Sequence, residues 1–199
     1  MSSLKVLHLS GCSKLKSTPN FTRATHLKYL DMDGCSSLST IHESIGVLSS
    51  LTFFSLRKCE KLVSIPNDIN SLVSLKTLDL FSCLNLKDLL PRQAYSSHLK
   101  FLIFLDLSFC NLQEVPDSIG DFRCLERLNL QGNNFVSIPC FLQSASFSSI
   151  CKLDYNKTCF AFTCGNRNPV IFGVALTLFV LGIRHFKGGM VKNLLRIQL

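Results

Sequence analysis

Charged residues are scarce in this chain of 199 residues: they make up 17% of the sequence, whereas hydrophobic residues make up 47%. A chain with so few charges and so many apolar residues can bury a substantial core, and this composition argues against disorder over most of its length. No long apolar run follows a basic segment near the N-terminus, so no secretory signal peptide is visible. We therefore expect an intracellular, cytoplasmic or nucleocytoplasmic, protein whose thiols are reduced.

Motifs that carry chemistry are also missing. The sequence contains no G-x-x-x-x-G-K-S/T phosphate-binding loop and no H-E-x-x-H zinc motif, and its 5 histidines are scattered. No nucleophile forms a recognisable set with a base. The sequence therefore predicts neither an enzyme nor a site for a cofactor or a metal ion.

The net charge of +8 is unevenly distributed along the chain. Residues 1–148 contain 14 basic and 12 acidic residues, a balance of +2, whereas residues 149–199 contain 7 basic residues and 1 acidic residue, a balance of +6. A nucleic-acid-binding face would concentrate Lys and Arg on the folded surface. The near-neutral balance of the longer region therefore argues against a nucleic-acid partner.

An internal repeat with the pattern L-x-x-L-x-L-x-x-C/N dominates the sequence. Its six copies start at intervals of 23, 24, 24, 27 and 23 residues, at Leu4, Leu27, Leu51, Leu75, Leu102 and Leu125. The alternating L-x-L part predicts a short strand, and the apolar residues that follow predict a short helical or irregular segment. One such unit cannot bury its own apolar face, but stacked units share a continuous core. The sequence thus predicts an α/β solenoid, a leucine-rich-repeat horseshoe with a concave parallel sheet of about six short strands and an irregular or short-helical convex side.

The repeat pattern ends near residue 142. We predict leucine-rich repeats over residues 1–142 and a non-repeat tail over residues 143–199, in which residues 170–183 are apolar. This run is shorter than the roughly 20 apolar residues of a spanning helix. It fits an interfacial membrane anchor with basic flanks, a cap on the open end of the solenoid, or sequence without an evolved fold; we favour the last over membrane contact.

The last position of the repeat pattern predicts a structural column. It is cysteine in five copies and asparagine in the sixth: Cys12, Cys35, Cys59, Cys83, Cys110 and Asn133. Here the chain leaves the strand, so backbone groups turn inward and need hydrogen-bond partners. A thiol is a weak donor that tolerates burial, and an amide does the same more strongly. Parallel side chains in a column do not aim at one another, which argues against a metal or redox ladder.

Residues between the repeat leucines predict the surface of the concave sheet, because they point away from the core. Aromatic side chains flanked by carboxylates on a rigid wall indicate a protein-binding site. The alternative is that scattered exposed Phe is ordinary and that the Asp row only keeps the sheet soluble. The candidate partner-binding residues are Tyr29, Asp31, Asp33, Phe53, Arg57, Asp79, Phe81, Phe104, Asp106 and Arg127.

Three stretches, 4–15, 41–48 and 128–139, carry a resemblance to a known family. They are similar to the repeat region of plant intracellular immune receptors that also contain a Toll/interleukin-receptor-like domain and a nucleotide-binding domain. The resemblance covers about residues 4–142. It implies recognition of a pathogen effector or a host protein. Because no phosphate loop is present and the sequence begins inside a repeat, we interpret the chain as a truncated receptor or a fragment.

Two other binding functions remain open from the sequence. One is a general intracellular leucine-rich-repeat scaffold, and the other is the substrate adaptor of a ubiquitin ligase. An F-box-like helical segment before Leu4 would favour the adaptor, and this sequence contains none.

Overall fold

Seven short strands stack side by side into one parallel sheet. The computed structural model describes residues 3–87, 99–143, 150–153, 161–163 and 170–171. The strands are β1 (Val6–His8), β2 (Tyr29–Asp31), β3 (Phe53–Ser55), β4 (Thr77–Asp79), β5 (Phe104–Asp106), β6 (Arg127–Asn129) and β8 (Cys151–Lys152). Their order in the sheet is β1-β2-β3-β4-β5-β6-β8, so each strand pairs with the next turn of the solenoid. The predicted horseshoe with a concave parallel sheet is confirmed.

The middle residue of each repeat strand points into the core. Leu30, Phe54 and Leu78 are fully buried, and Leu105 and Leu128 are each 1% exposed. Because side chains alternate along a strand, a shift of one residue would turn all of them toward solvent. The leucine spacing therefore fixes the register that the sheet adopts.

A tight turn with a left-handed residue follows each of the first six strands. This residue directly precedes the column position and has a φ between 55° and 74° in every turn: Gly11, Gly34, Lys58, Ser82, Phe109 and Gly132. Glycine adopts this conformation without strain, whereas a residue with a Cβ does not. Three of the six turns thus hold a side chain in an unfavourable backbone geometry.

Short 3-10 helices form the convex side. They are η1 (Glu43–Val47), η2 (Asn67–Ser71), η3 (Asp117–Asp121) and η4 (Cys140–Gln143). The first three each bury one isoleucine at their centre, in agreement with the predicted short-helical segments. Their bulk on the outer side, opposite the closely spaced strands, bends the sheet into its concave form.

Strand pairing continues beyond residue 142, where the leucine pattern ends. Strand β8 pairs with β6, and a second sheet joins β7 (Ser137–Pro139), β9 (Ala161–Thr163) and β10 (Val170–Ile171) in the order β10-β9-β7. Pairing between backbone groups requires no leucine, so the leucine pattern did not indicate these strands. The domain boundary at residue 142 stays a prediction. The apolar run after residue 171 lies outside the described residues, and no helix in the described part of the chain is long and apolar enough to cross a membrane.

Candidate functional site

The ten candidate residues lie on the concave face in three adjacent rows. The parallel register places Tyr29 beside Phe53, and Asp79 beside Asp106. The first row is Val6, Tyr29, Phe53, Thr77, Phe104 and Arg127, and the second is His8, Asp31, Ser55, Asp79, Asp106 and Asn129. The third row lies two residues further along each chain segment and comprises Ser10, Asp33, Arg57, Phe81, Ser108 and Gln131.

Aromatic side chains in the first row are held in place by their neighbours. The rings of Tyr29 and Phe53 stack with centroids 4.3 Å apart and planes only 2° from parallel. His8 packs on the other side of Tyr29 at 5.1 Å, and the guanidinium of Arg127 lies 5.0 Å from the ring centroid of Phe104. These contacts order the side chains before any partner arrives.

Arg57 connects three neighbouring turns of the solenoid. Its Nη1 donates to Asp79 Oδ2 at 3.0 Å, its Nε lies 3.6 Å from Asp33 Oδ2, and its guanidinium lies 4.5 Å from the ring centroid of Phe81. Phe81 in turn makes an edge contact with Phe109, with ring centroids 5.6 Å apart. The charge of Arg57 is therefore shared between two carboxylates and an aromatic ring.

Phe109 also belongs to this surface, although the repeat pattern did not indicate it. Phe109 is 49% exposed and occupies the left-handed turn position, where three other repeats have glycine. Its ring covers Gly132 of the next turn so closely that a side chain at Gly132 would collide with it. The feature of the sequence that could have indicated this role is an aromatic residue at a turn position that favours glycine.

The second row has a structural role that the sequence analysis also missed. The Oδ1 atom of each Asp and Asn in this row accepts the backbone N–H two residues further on, at 3.0 Å for Asp31, 3.1 Å for Asp79, 2.8 Å for Asp106 and 3.3 Å for Asn129. Asp and Asn are favoured in turns for this bond. The recurrence of Asp or Asn at one place in four repeats is the signal that predicts it.

Burial sets the electrostatics of this row. Asp79 is 8% exposed and Asp106 is 6% exposed, although the sequence had suggested an open acidic row. Burial raises the pKa of Asp79 above its ordinary value despite the hydrogen bonds from Phe81 and Arg57, and nearby Asp106 adds to the rise.

The pKa of Asp31 is shifted in the opposite direction to that of Asp79. Burial raises its pKa, but hydrogen bonds from Ser10, the backbone of Asp33 and His8 outweigh burial, so the pKa of Asp31 lies below its ordinary value. Two carboxyl groups at the same row position therefore have pKa values that are shifted in opposite directions.

Four column thiols donate to carbonyl groups of the preceding turn. The Sγ–O distances are 3.1 Å for Cys35, 3.4 Å for Cys59, 3.1 Å for Cys83 and 3.0 Å for Cys110. Burial raises the pKa of Cys59 to about 12 and that of Cys110 to about 11, which suppresses the reactive thiolate. Cys12, in the first turn, is exposed. Among the described residues, no three His, Cys, Asp or Glu side chains are placed to hold a metal ion.

Asn133 makes more bonds than any of the column thiols. Its Nδ2 donates to Leu107 O at 2.8 Å and Leu130 O at 2.9 Å. Its Oδ1 accepts the backbone N–H groups of Cys110 at 3.1 Å and Leu112 at 3.0 Å. The amide thus joins two consecutive turns through both its donor and its acceptor.

Comparisons with known proteins agree with this architecture. A family model described as Leucine Rich Repeat matches residues 101–122 and 124–145. The chain is 32% identical over 151 residues to the protein SUPPRESSOR OF npr1-1, CONSTITUTIVE 1 of Arabidopsis thaliana, covering 66% of this chain and 10% of that protein. It is 33% identical over 153 residues to the disease resistance protein RML1A of Arabidopsis thaliana, covering 75% of this chain and 15% of that protein.

A further relative comes from another plant. The chain is 31% identical over 153 residues to the TMV resistance protein N of Nicotiana glutinosa, covering 76% of this chain and 12% of that protein. The chain thus spans 10% to 15% of the length of these three relatives. It contains leucine-rich repeats and is similar in sequence to plant disease resistance proteins.

Proposed function

We propose that this leucine-rich-repeat chain, similar to plant disease resistance proteins, is a recognition module that binds another protein on its concave sheet. The proposed partner is a pathogen effector or a host protein inside the plant cell. Two of the relatives are named for resistance, one of them for resistance to disease and the other for TMV resistance, which supports a role in defence. The chain spans 10% to 15% of the length of these relatives, so this proposal concerns recognition and not the activity of the whole relatives.

One observation carries this proposal: aromatic and charged side chains form a single preordered surface on a rigid ladder of strands. Tyr29 stacks on Phe53, and Arg127 packs on Phe104, so their side chains lose little freedom on binding. Aromatic residues and arginine dominate the energetics of protein interfaces. The concave face therefore offers the residue types and the rigidity that a recognition site requires.

Charge indicates the kind of partner. Among the candidate residues the surface has four carboxylates, at Asp31, Asp33, Asp79 and Asp106, and two guanidinium groups. An excess of negative charge favours a partner with a basic face. The affinity should therefore fall as the salt concentration rises, because salt screens these charges.

A double substitution tests the proposed face. Replacing Phe53 and Phe104 together by Ser should weaken binding by more than about tenfold, because interface aromatics contribute most of the affinity. The tagged full chain is expressed in plant tissue, its cross-linked partners are identified by mass spectrometry, and the affinity for a recovered partner is then measured by titration. Circular dichroism should show an unchanged fold, because both side chains are only half-buried.

Phe101→Ser is the matched control. Phe101 is 58% exposed and lies in a turn outside the three rows. This variant removes the same kind of exposed ring from another surface, so the affinity should stay unchanged. If the control loses the partner and the double variant keeps it, the binding site is not on the concave sheet.

A further inference from the structure

A gap interrupts the aromatic residues of the first row. Thr77 lies between Phe53 and Phe104 in the register of three consecutive strands. Neighbouring strands lie about 4.8 Å apart, so the backbones that carry the two rings are separated by about 10 Å. A side chain between them needs about 7–8 Å for van der Waals contact on both sides. The small Thr77 side chain thus leaves room for one inserted group.

Both rings bordering this gap have one face already covered. Tyr29 stacks on one face of Phe53, and Arg127 lies over one face of Phe104. Because Tyr29 and Arg127 lie on the strands farther from Thr77, the strand order turns the opposite face of each ring toward Thr77. An inserted group would therefore meet two aromatic faces, which attract a cation.

Polar groups line one edge of the same gap. Ser55, Asp79 and Asp106 follow Phe53, Thr77 and Phe104 by two residues on their respective strands, so they lie in register beside it. The two carboxylates are direct neighbours, and like charges in that arrangement repel each other. Ser55 is 3% exposed, and its Oγ atom has no hydrogen-bond partner among the described residues. A buried hydroxyl without a partner needs a reason, and a ligand atom would supply one.

We propose that this gap, which we call the Thr77 gap, receives one arginine side chain of the partner protein. The inference rests on the proposed function and specifies it further. The planar guanidinium stacks between the rings of Phe53 and Phe104, and its N–H groups face the carboxylates of Asp79 and Asp106. Arginine fits better than lysine because it combines a flat shape with several donors.

The nearby cations of the chain already have partners, and Arg57 pairs with only one of the two carboxylates that border the gap. Arg57 bonds to Asp79 from the third row and packs on Phe81, and Arg127 covers the far face of Phe104. Asp106 bonds to Asn129 and Ser108, both neutral side chains. An anionic or nucleic-acid ligand would meet two carboxylates, and a purely apolar group would leave the Ser55 hydroxyl unpaired. A cationic side chain complements the ring faces and Asp106, which has only neutral hydrogen-bond partners among the described residues.

Selection of displayed random peptides on the full chain tests this inference. We expect the peptides that bind the wild type, but not the Phe53→Ser, Phe104→Ser double variant, to share one arginine at a fixed position. Replacing that arginine by methionine in a synthetic peptide should weaken binding about tenfold to hundredfold, the range of a charge-assisted contact.

Two further variants locate the arginine on the protein. Thr77→Phe fills the gap and should weaken binding of the arginine peptide by a similar factor, whereas Thr22→Phe makes the same change at an exposed turn residue outside the three rows and should not. Asp79→Asn with Asp106→Asn keeps both Oδ1 acceptors and removes both charges. This double variant should weaken the arginine peptide much more than its methionine counterpart. If Thr77→Phe fails to fold by circular dichroism, Thr77→Leu fills the gap with less bulk.

The outcomes separate this inference from the proposed function. Peptides that need Phe53 and Phe104 but share no arginine would overturn the inference and leave concave recognition intact. Arginine peptides that bind Thr77→Phe as tightly as wild type would overturn the location. If every selected peptide binds the Phe53→Ser, Phe104→Ser double variant as well as wild type, concave recognition itself is contradicted.

Discussion

Replacing Asn133 by alanine should be the most destabilising change of a half-buried polar side chain in this solenoid. It removes four hydrogen bonds with lengths between 2.8 and 3.1 Å, two donated and two accepted, and a longer contact from Nδ2 to Gln131 O at 3.4 Å. Each such bond contributes about 0.5–1.5 kcal/mol, which gives a total of about 2–6 kcal/mol. Because Asn133 is only half-buried, water replaces part of this loss. We therefore expect the free energy of unfolding to fall by about 2–4 kcal/mol.

Urea unfolding followed by circular dichroism measures this loss, with two comparisons. Asn133→Cys introduces the residue of the other turns and keeps a donor, but it leaves the N–H groups of Cys110 and Leu112 without their acceptor, so its cost should be intermediate. Asn134→Ala removes an exposed amide that makes one bond, to Asn111 Oδ1 at 2.8 Å, and should cost less than about 0.5 kcal/mol. If Asn133→Ala costs no more than Asn134→Ala, the column does not stabilise the stack.

Three further outcomes follow from burial and backbone geometry. Leu78→Ala and Leu105→Ala should each lower the free energy of unfolding by about 2–5 kcal/mol in thermal unfolding, and losses well below 1 kcal/mol for both would reject the register. In the native chain a thiol reagent should label exposed Cys124 quickly and buried Cys59 slowly, as followed by mass spectrometry; equal rates would contradict the buried column. Lys58→Gly should raise the urea midpoint, because it removes the strain of a φ of 55°, and a lower midpoint would refute that strain.

Regular spacing made most of the fold predictable. Leucines recurring every 23 to 27 residues define one strand per turn, and the strands lie where the L-x-L segments predicted them. The three rows of the concave face follow from alternation alone, so the position of Tyr29 beside Phe53 could be read from the sequence. A solenoid allows this because each turn contacts only its neighbours.

What the sequence did not predict depends on contacts between particular side chains. Spacing places Asp79 on the concave face, but only the neighbouring Arg57 and Phe81 show why it is buried there. The exposed ring of Phe109 depends on Gly132 in the next turn, which a single repeat does not reveal. Strand β8 contains no repeat leucine, so the leucine pattern did not indicate that it pairs with β6.

Carboxyl groups at Asp31 and Asp79 occupy the same row position but should respond oppositely to pH. Hydrogen bonds hold the pKa of Asp31 below its ordinary value against the effect of burial, whereas burial keeps the pKa of Asp79 above it. The stability that Asp31 contributes is present above the unfolded pKa of about 3.9 and is lost as the pH falls through the lower folded value. The stability that Asp79 contributes is complete below about 3.9 and is lost as the pH rises through the higher folded value.

Asparagine variants isolate each effect, because asparagine keeps the Oδ1 acceptor and does not titrate in this range. Urea unfolding between about pH 3 and pH 7 gives the difference in free energy of unfolding between wild type and each variant. From acid to neutral pH this difference should rise for Asp31→Asn and fall for Asp79→Asn. Global effects of pH cancel in each difference, since they act on wild type and variant alike. Slopes of the same sign for both variants would show that burial and hydrogen bonding do not set the proton affinities in this row.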